Sequence, residues 1–389
     1  PIGTETNPFR GTFNGAGKAL NGLKIGSAAA PAEGDYQGLF GYNAGTIHDL
    51  TVNGEIHSLG NYAGGIVGYS SGTLDALTFT GKISAKGDYV GGVVGYSSGA
   101  ISKLVFGDAS DLKGEKASNP TSSVTGRDDI GGVVGYTAGA VSQAVNYGAV
   151  DGGSRVGGIA GSGKAAIGAN NAANINYGPV NATGDYAGGI VGYHSENAAV
   201  SYNQNYGDIG ADGSYVGGIA GAIRGTTAAA NNINHGAITA KGDYVGGVVG
   251  SASSADAQSG ESGAALTAAV NDGAVIGGDY VGGIAGLSRG SGALHTAENH
   301  GAVTGGSYVG GIVGAAYGPL GNHTLATGVK NTATVTGTGD YIGGLGGYLK
   351  SASSTTRTVS YGYNTASVVG SDTSSYVGGI MGWGDGPVQ

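Results

Sequence analysis

Short runs of β-branched and apolar residues, broken by glycine, asparagine, aspartate and serine, recur along the whole chain. No stretch between them carries the 3.6-residue spacing of a helix. The stretch GDYVGGVVGYSSGAISKLVF, from Gly87 to Phe106, is typical, and near copies of its words return from one end to the other. The pattern predicts strands alone, and their regular return predicts a repeat.

Aligned on the first residue of words such as YAGGIVGY at Tyr62 and YVGGVVGY at Tyr89, one slot recurs at Tyr36, Tyr62, Tyr89, Asp129, Arg155, Tyr186, Tyr215, Tyr244, Tyr280, Tyr308, Tyr341 and Tyr376. Successive slots lie between 26 residues (Tyr36 to Tyr62) and 40 residues (Tyr89 to Asp129) apart. The position closing the Gly-Gly word is aliphatic each time, from Leu39 and Ile66 to Ile380. A second aliphatic column runs from Ile56 and Ile83 through Val150 and Val180 to Val368. Strands at this interval, with no helix between them, predict an all-β fold, a parallel β-helix or β-solenoid of about twelve coils. At a rise of about 4.8 Å per coil, twelve make a rod about 55 Å long with an apolar stripe as its core. The expected layout is a single elongated solenoid over residues 1–389, with residues 1–34 as the first coil and repeats over 35–389. Inserts are expected near 107–123, 251–265 and 349–360.

Two adjacent glycines inside each β-branched word need a reason, because glycine weakens a strand. Either a facing wall packs directly on the backbone there, or the strand bulges and bends.

Composition narrows the class. Glycine supplies 86 of 389 residues, about three times its usual share of ~7%. Yet Val, Ile and Tyr stand at fixed places, unlike a disordered glycine-rich chain. A net charge of -9 with no basic run argues against nucleic acid as a partner. No cysteine is present, so disulfides and thiolate metal sites are excluded. No apolar run is long enough to span a membrane, and the start at Pro1 lacks a signal pattern, so any export signal or anchor is expected outside this chain.

Several columns could carry chemistry. Asn146, Asn176, Asn205, Asn234, Asn271, Asn299, Asn331 and Asn364 fall in register with Val52 and Phe79, which predicts an inward slot and a hydrogen-bonded amide ladder. The tyrosine column, Tyr36, Tyr62, Tyr89, Tyr186, Tyr215, Tyr244, Tyr280, Tyr308, Tyr341 and Tyr376, is interrupted by Asp129 and Arg155 and is therefore expected at a solvated margin. There it would form a stacked ladder, or a surface for sugars or a protein partner. Just before it stands an Asp, Ser or Asn column from Asp35, Asn61 and Asp88 to Asp340 and Ser375. These are read as turn residues bonding their own backbone, with shared calcium as the alternative. His235, Asp272 and His300 on successive coils are read as solvated turn residues or, less simply, a transition-metal set. Arg127, Asp128, Asp129 and Asp151, beside the insert from Gly107, are the nearest approach to an acidic-polysaccharide-cleaving cluster. No zinc-protease or nucleophile-elbow motif occurs, and no cofactor is expected.

GGIVGYSSGTL at Gly64, GGVVGYSSGAI at Gly91 and GLFGYNAGTIHDLTVNGEI at Gly38 resemble the GLUG motif, which occurs in tandem on bacterial surface adhesins and beside the protease part of IgA-specific metallopeptidases. NPFRGTFNGAGKALNGLKI from Asn7 looks like the first coil that precedes such repeats. The resemblance covers nearly the whole chain. It implies a right-handed parallel β-helix, exported and displayed at a cell surface; the zinc motif of the metallopeptidases is missing, so no protease activity is implied.

The expected function is a non-enzymatic extracellular structural or adhesive solenoid: a surface stalk, adhesin segment or self-assembling fibre subunit. Its expected partners are further copies of itself, a host surface protein or a glycan. The uncapped last words, GGIMGWGDGPVQ, add the expectation that the chain continues or that copies stack end to end. Alternatives are a polysaccharide-active enzyme using the Arg127 cluster, or a calcium-stabilised array. Ice binding is disfavoured because Thr239, Thr304 and Thr336 form no unbroken column.

Overall fold

A computed structural model describes residues 1–253, 263–289, 294–321, 328–350 and 359–385. The predicted inserts near 251–265 and 349–360 lie largely outside these residues. What is described is all-β, about eleven turns of parallel β-solenoid. Among the described residues there is no α-helix, only a 3-10 turn at Ala109–Asp111. Two compact units share the coils: one comprises residues 1–184, 189–193 and 206–208, the other residues 185–188, 194–205 and 209–389.

In the first unit, strand β1 (Thr12–Ile25) lies parallel to β3 (Thr46–Ser58), and β3 to β6 (Thr73–Ala85), with Leu20, Val52 and Phe79 in one register column. Strand β2 (Phe40–Asn43) pairs with β5 (Val67–Ser70), and the two-residue β4 (Ala63–Gly64) with Val90–Gly91. One coil is thus β4, β5 and β6 in turn, three walls around a narrow interior. In the second unit the β4-type wall climbs from Val216–Gly217 through Val245, Val281, Val309 and Ile342 to Val377–Gly378.

Both predicted aliphatic columns form the interior. Ile66, Val93, Val133, Ile159, Ile219, Ile284 and Ile312 are fully buried on one side, and Ile56, Val124, Val150, Val275, Val303 and Val335 on the other. Each coil can cover only its own few side chains, so their burial stabilises the stack only when neighbouring coils are in place.

The glycine pair is explained by close approach. An alanine Cβ at Gly132 would lie 2.6 Å from the amide carbon of Asn146 across the interior, and one at Gly65 would overlap the ring of Phe79. The second glycine of the word is therefore the thin place where the opposite wall meets bare backbone. Of the two readings open in the sequence, the facing wall is observed, and the chain also bends at the pair, at Gly65 and Ile66 between β4 and β5.

Besides the bend at the glycine pair, two corners of each coil use left-handed backbone. The slot preceding the Gly-Gly word has φ between 55° and 68° in every coil, at Asp129 and Arg155 as well as at the tyrosines. A second corner has φ of 51° at Ala76, 55° at Lys103 and 56° at Asn231. Such a conformation costs a non-glycine residue on the order of 1–3 kcal/mol and persists only where the surroundings enforce it.

Candidate functional site

The left-handed corner throws the tyrosine ring outward, and the coil spacing then places ring over ring. In the second unit Tyr186, Tyr215, Tyr244, Tyr280, Tyr308, Tyr341 and Tyr376 stack with centroids 4.4 to 4.9 Å apart. In the first, Tyr36, Tyr62 and Tyr89 stack at 5.0 Å. The rings are half-buried, as a solvated margin requires, apart from Tyr376, which is exposed.

Sequence reasoning missed a second aromatic column. Tyr42, Tyr69, Tyr96 and Tyr136 stack at 4.4 to 4.9 Å and pack edge-on against the first column. The signal was present: a tyrosine follows the corner by seven residues in the words from Tyr62, Tyr89 and Asp129. A third stack joins Tyr147, Tyr177 and Tyr206 in the first unit.

Burial and the neighbouring phenols push the Tyr96 and Tyr280 hydroxyls up to about 12. The fold therefore favours the neutral phenol. Its contribution to stability is complete below about pH 10, where an unfolded tyrosine ionises, and is lost as pH rises towards about 12. Absorbance at 295 nm and far-ultraviolet dichroism, followed together, are expected to show these tyrosines ionising as the strands are lost. Titration of all 23 tyrosines near pH 10 with the strands intact would contradict the stacked, buried columns.

The asparagines form the predicted ladder. Asn146 donates from Nδ2 to Asn176 Oδ1 at 2.7 Å and to Gly148 O at 3.0 Å, and its own Oδ1 accepts from the Gly148 N–H at 2.9 Å. In the second unit Asn205, Asn234, Asn271, Asn299, Asn331 and Asn364 repeat the bond from amide to amide at 2.7 to 2.8 Å. All but Asn364 are fully buried. Asn203 and Asn232 add a buried bond two residues upstream that the sequence reading did not single out.

The Asp, Ser and Asn column requires a correction. Its side chains do not bond their own backbone: all but Ser154 and the last, Ser375, accept the N–H of their counterpart one coil on. Asp35 accepts from Asn61 at 2.7 Å, Asn61 from Asp88 at 2.9 Å and Asp128 from Ser154 at 2.8 Å. The second unit continues the scheme from Asp185 to Ser214, from Asp279 to Ser307 and from Asp340 to Ser375. These N–H groups, on the residue before each left-handed corner, point along the stack, so the acceptor belongs to the neighbouring coil.

The Arg127 cluster is drawn apart. Arg127 forks onto Asp88, with Nε 2.6 Å from Oδ1, and holds that carboxyl below its ordinary range. Asp129, expected at a solvated margin, is instead buried and gripped by Arg155 through bonds of 2.8 and 2.9 Å and by the Ser162 hydroxyl. Its charge can sit inside because the fork and the hydroxyl replace its water. Asp151 accepts from Asn181. His235 and His300, by contrast, do come together on Asp272, each Nδ1 2.8 Å from one carboxylate oxygen, and His300 Nε2 lies 3.3 Å from Glu298. Among the described residues no group of three His, Asp or Glu is placed to hold a metal ion.

The insert at 107–123 stands over the first unit, tied down by Lys116 to Asp208 at 2.5 Å and by the Ala117 N–H to Tyr177 O. Between it and the outer faces of β1, β3 and β6 lies an open groove of about 400 Å3 lined by Lys24, Asn53, Glu55, Thr80, Lys82 and Asp108. Comparison with protein-family models, curated proteins and solved structures finds no match for the chain.

Proposed function

We propose that the chain is a non-enzymatic structural and adhesive solenoid displayed outside the cell, as a surface stalk, adhesin segment or fibre subunit. Its partners would be further copies of itself, a host surface protein or a glycan. The observation that carries this reading is where the polar chemistry goes. Ladder amides bond one another, corner carboxylates accept the next coil's N–H, and Arg127 and Arg155 fork onto Asp88 and Asp129. These groups join coil to coil, which suits a scaffold. What faces outward is rows of half-buried tyrosine and a polar groove, the kind of surface that holds a ring or a polar chain through stacking and scattered hydrogen bonds.

Antibody labelling of intact cells of the producing organism, with opened cells as the control, tests the display. Labelling only after the cells are opened would overturn it. Retention of the purified chain on immobilised glycans and host cells, compared with a Tyr244→Ala, Tyr280→Ala double variant, tests the adhesive part. Retention is expected and should fall in the variant; no retention would leave a stalk without adhesion.

A further inference from the structure

In the tyrosine column of the second unit, Tyr280 and Tyr308 stack with centroids 4.4 Å apart and planes 2° from parallel. The contacts on either side are longer, 4.8 Å from Tyr244 to Tyr280 and 4.9 Å from Tyr308 to Tyr341. The backbone holds the pair in place, because the Tyr280 N–H donates to Ser307 O and the Val281 N–H to Tyr308 O, each at 3.0 Å. Both residues are only half-buried.

The flank of this pair differs from that of the same column in the first unit. There Tyr62 is boxed in edge-on by Tyr69 of its own coil and Tyr96 of the next, at 6.2 and 6.0 Å. Seven residues past Tyr280 and Tyr308 stand Leu287 and Ala315 instead, in register with each other. A cavity of about 130 Å3, with Tyr215, Arg224, Tyr244 and Leu287 among its walls, opens beside them. A ring at Tyr280 therefore has room to leave the stack that a ring at Tyr62 lacks.

A phenol that gives up one electron and its hydroxyl proton becomes a phenoxyl radical with spin on its ortho ring carbons, and two such radicals join through those carbons. The new bond forms along the p lobes, which project from the ring faces. Rings lying face to face already aim those lobes at each other, and holding them there turns a collision into a step within one molecule. The ortho hydrogen of each joined carbon then passes to a phenoxyl oxygen, which restores two phenols, now linked as a biaryl whose rings swing out of the stack. In total two hydrogen atoms leave the protein. One molecule of hydrogen peroxide takes them and becomes two waters.

We propose that Tyr280 and Tyr308 are an oxidative cross-linking site, joined as dityrosine by a one-electron oxidant such as a peroxidase with hydrogen peroxide, so that two successive coils become covalently tied. The site stands independently of the surface role, and its failure would leave that role untouched. Oxidation of the full chain with a haem peroxidase and limiting peroxide, followed by unfolding and trypsin, tests it. Trypsin cuts after Lys241, Arg289 and Lys330, which puts Tyr280 on the peptide 242–289 and Tyr308 on the peptide 290–330. The two peptides joined, lighter than their sum by two hydrogens and fluorescing as dityrosine, are expected from the folded chain, with a yield about tenfold or more below that when the chain is oxidised in denaturant. Tyr280→Phe and Tyr308→Phe keep a ring in the stack and remove the hydroxyl; each is expected to abolish the joined peptide while leaving the far-ultraviolet dichroism of the chain unchanged. Tyr244→Phe and Tyr317→Phe, on the same two peptides, are expected to leave it in place. No joined peptide from the folded chain, equal yields from folded and unfolded chain, or a yield unchanged by Tyr280→Phe or by Tyr308→Phe would overturn the proposal.

Discussion

Replacing Gly218 with alanine is expected to destabilise the second unit by about 3 kcal/mol or more, the upper end of what one added methyl does in a packed interior. The new Cβ would overlap the amide carbon of Asn234 and the carbonyl oxygen of Gly247. Neither can retreat cheaply. Asn234 is held by bonds of 2.8 Å to Gly236 O and to Asn271 Oδ1. Gly247 is the same glycine one coil on, and it faces Asn271 just as closely. Displacement in one coil is therefore passed to the next. Gly379 supplies the control: it occupies the same place in its word, but an added Cβ meets nothing within 4 Å. Alanine there is expected to be neutral or to stabilise by about 0.4–1 kcal/mol through the unfolded chain. Denaturant midpoints give the sizes. Hydrogen exchange is expected to show lost protection around Val216–Ile219 and Val245–Val248, with less change around Val309–Ile312, because solenoid coils couple mainly to their neighbours. A Gly218→Ala chain within about 0.5 kcal/mol of wild type would refute the thin-wall account of the glycine pair.

The columns were legible because a solenoid turns sequence period into spatial register. Position alone put Asn146 and Asn176 in one column with Phe79, and the strand pairing has them there, with Phe106, which the sequence reading did not place, between Phe79 and Asn146. What position could not supply was the backbone at the corners. Tyrosine has no preference for left-handed φ, so nothing about Tyr62 or Tyr244 as a residue type announced a φ near 60°. Both errors lie at this margin. Just before the corner at Tyr62, the Asn61 N–H donates to Asp35 on the preceding coil, where a turn residue bonding itself was expected. Asp129 and Arg155 stand on adjacent coils with side chains side by side, so that two charges in an aromatic column pair, Asp129 buried and Arg155 half-buried.

The second tyrosine column was overlooked for a different reason. Its members hold that place only in part of the chain: Ala222, Ser251, Leu287 and Ala315 interrupt it before rings return at Tyr348 and Trp383. A column that fails in places looks like noise in a sequence, although in the fold the ringless stretch is where the Arg224 cavity opens.

Asn234→Leu is expected to be the most damaging change to the amide ladder, at about 3–5 kcal/mol. Leucine keeps the branched shape and heavy-atom count of asparagine but is bulkier, so overpacking adds to the loss of hydrogen bonds. The loss leaves Asn205 Nδ2 without its acceptor, and Asn271 Oδ1 and Gly236 O without their donors. Each stranded buried group costs about 1–3 kcal/mol. Asn146 offers the internal comparison, since it begins the ladder above Phe106 and accepts from no amide below. Asn146→Leu should therefore cost about 1–2 kcal/mol less than Asn234→Leu. Asn146→Phe should be tolerated better than Asn234→Phe, because Phe79 and Phe106 already fit opposite Gly65 and Gly92 in the same column. Equal losses for the two leucine variants, measured by denaturant unfolding, would mean that the amides act only through their own turns and not as a continuous ladder.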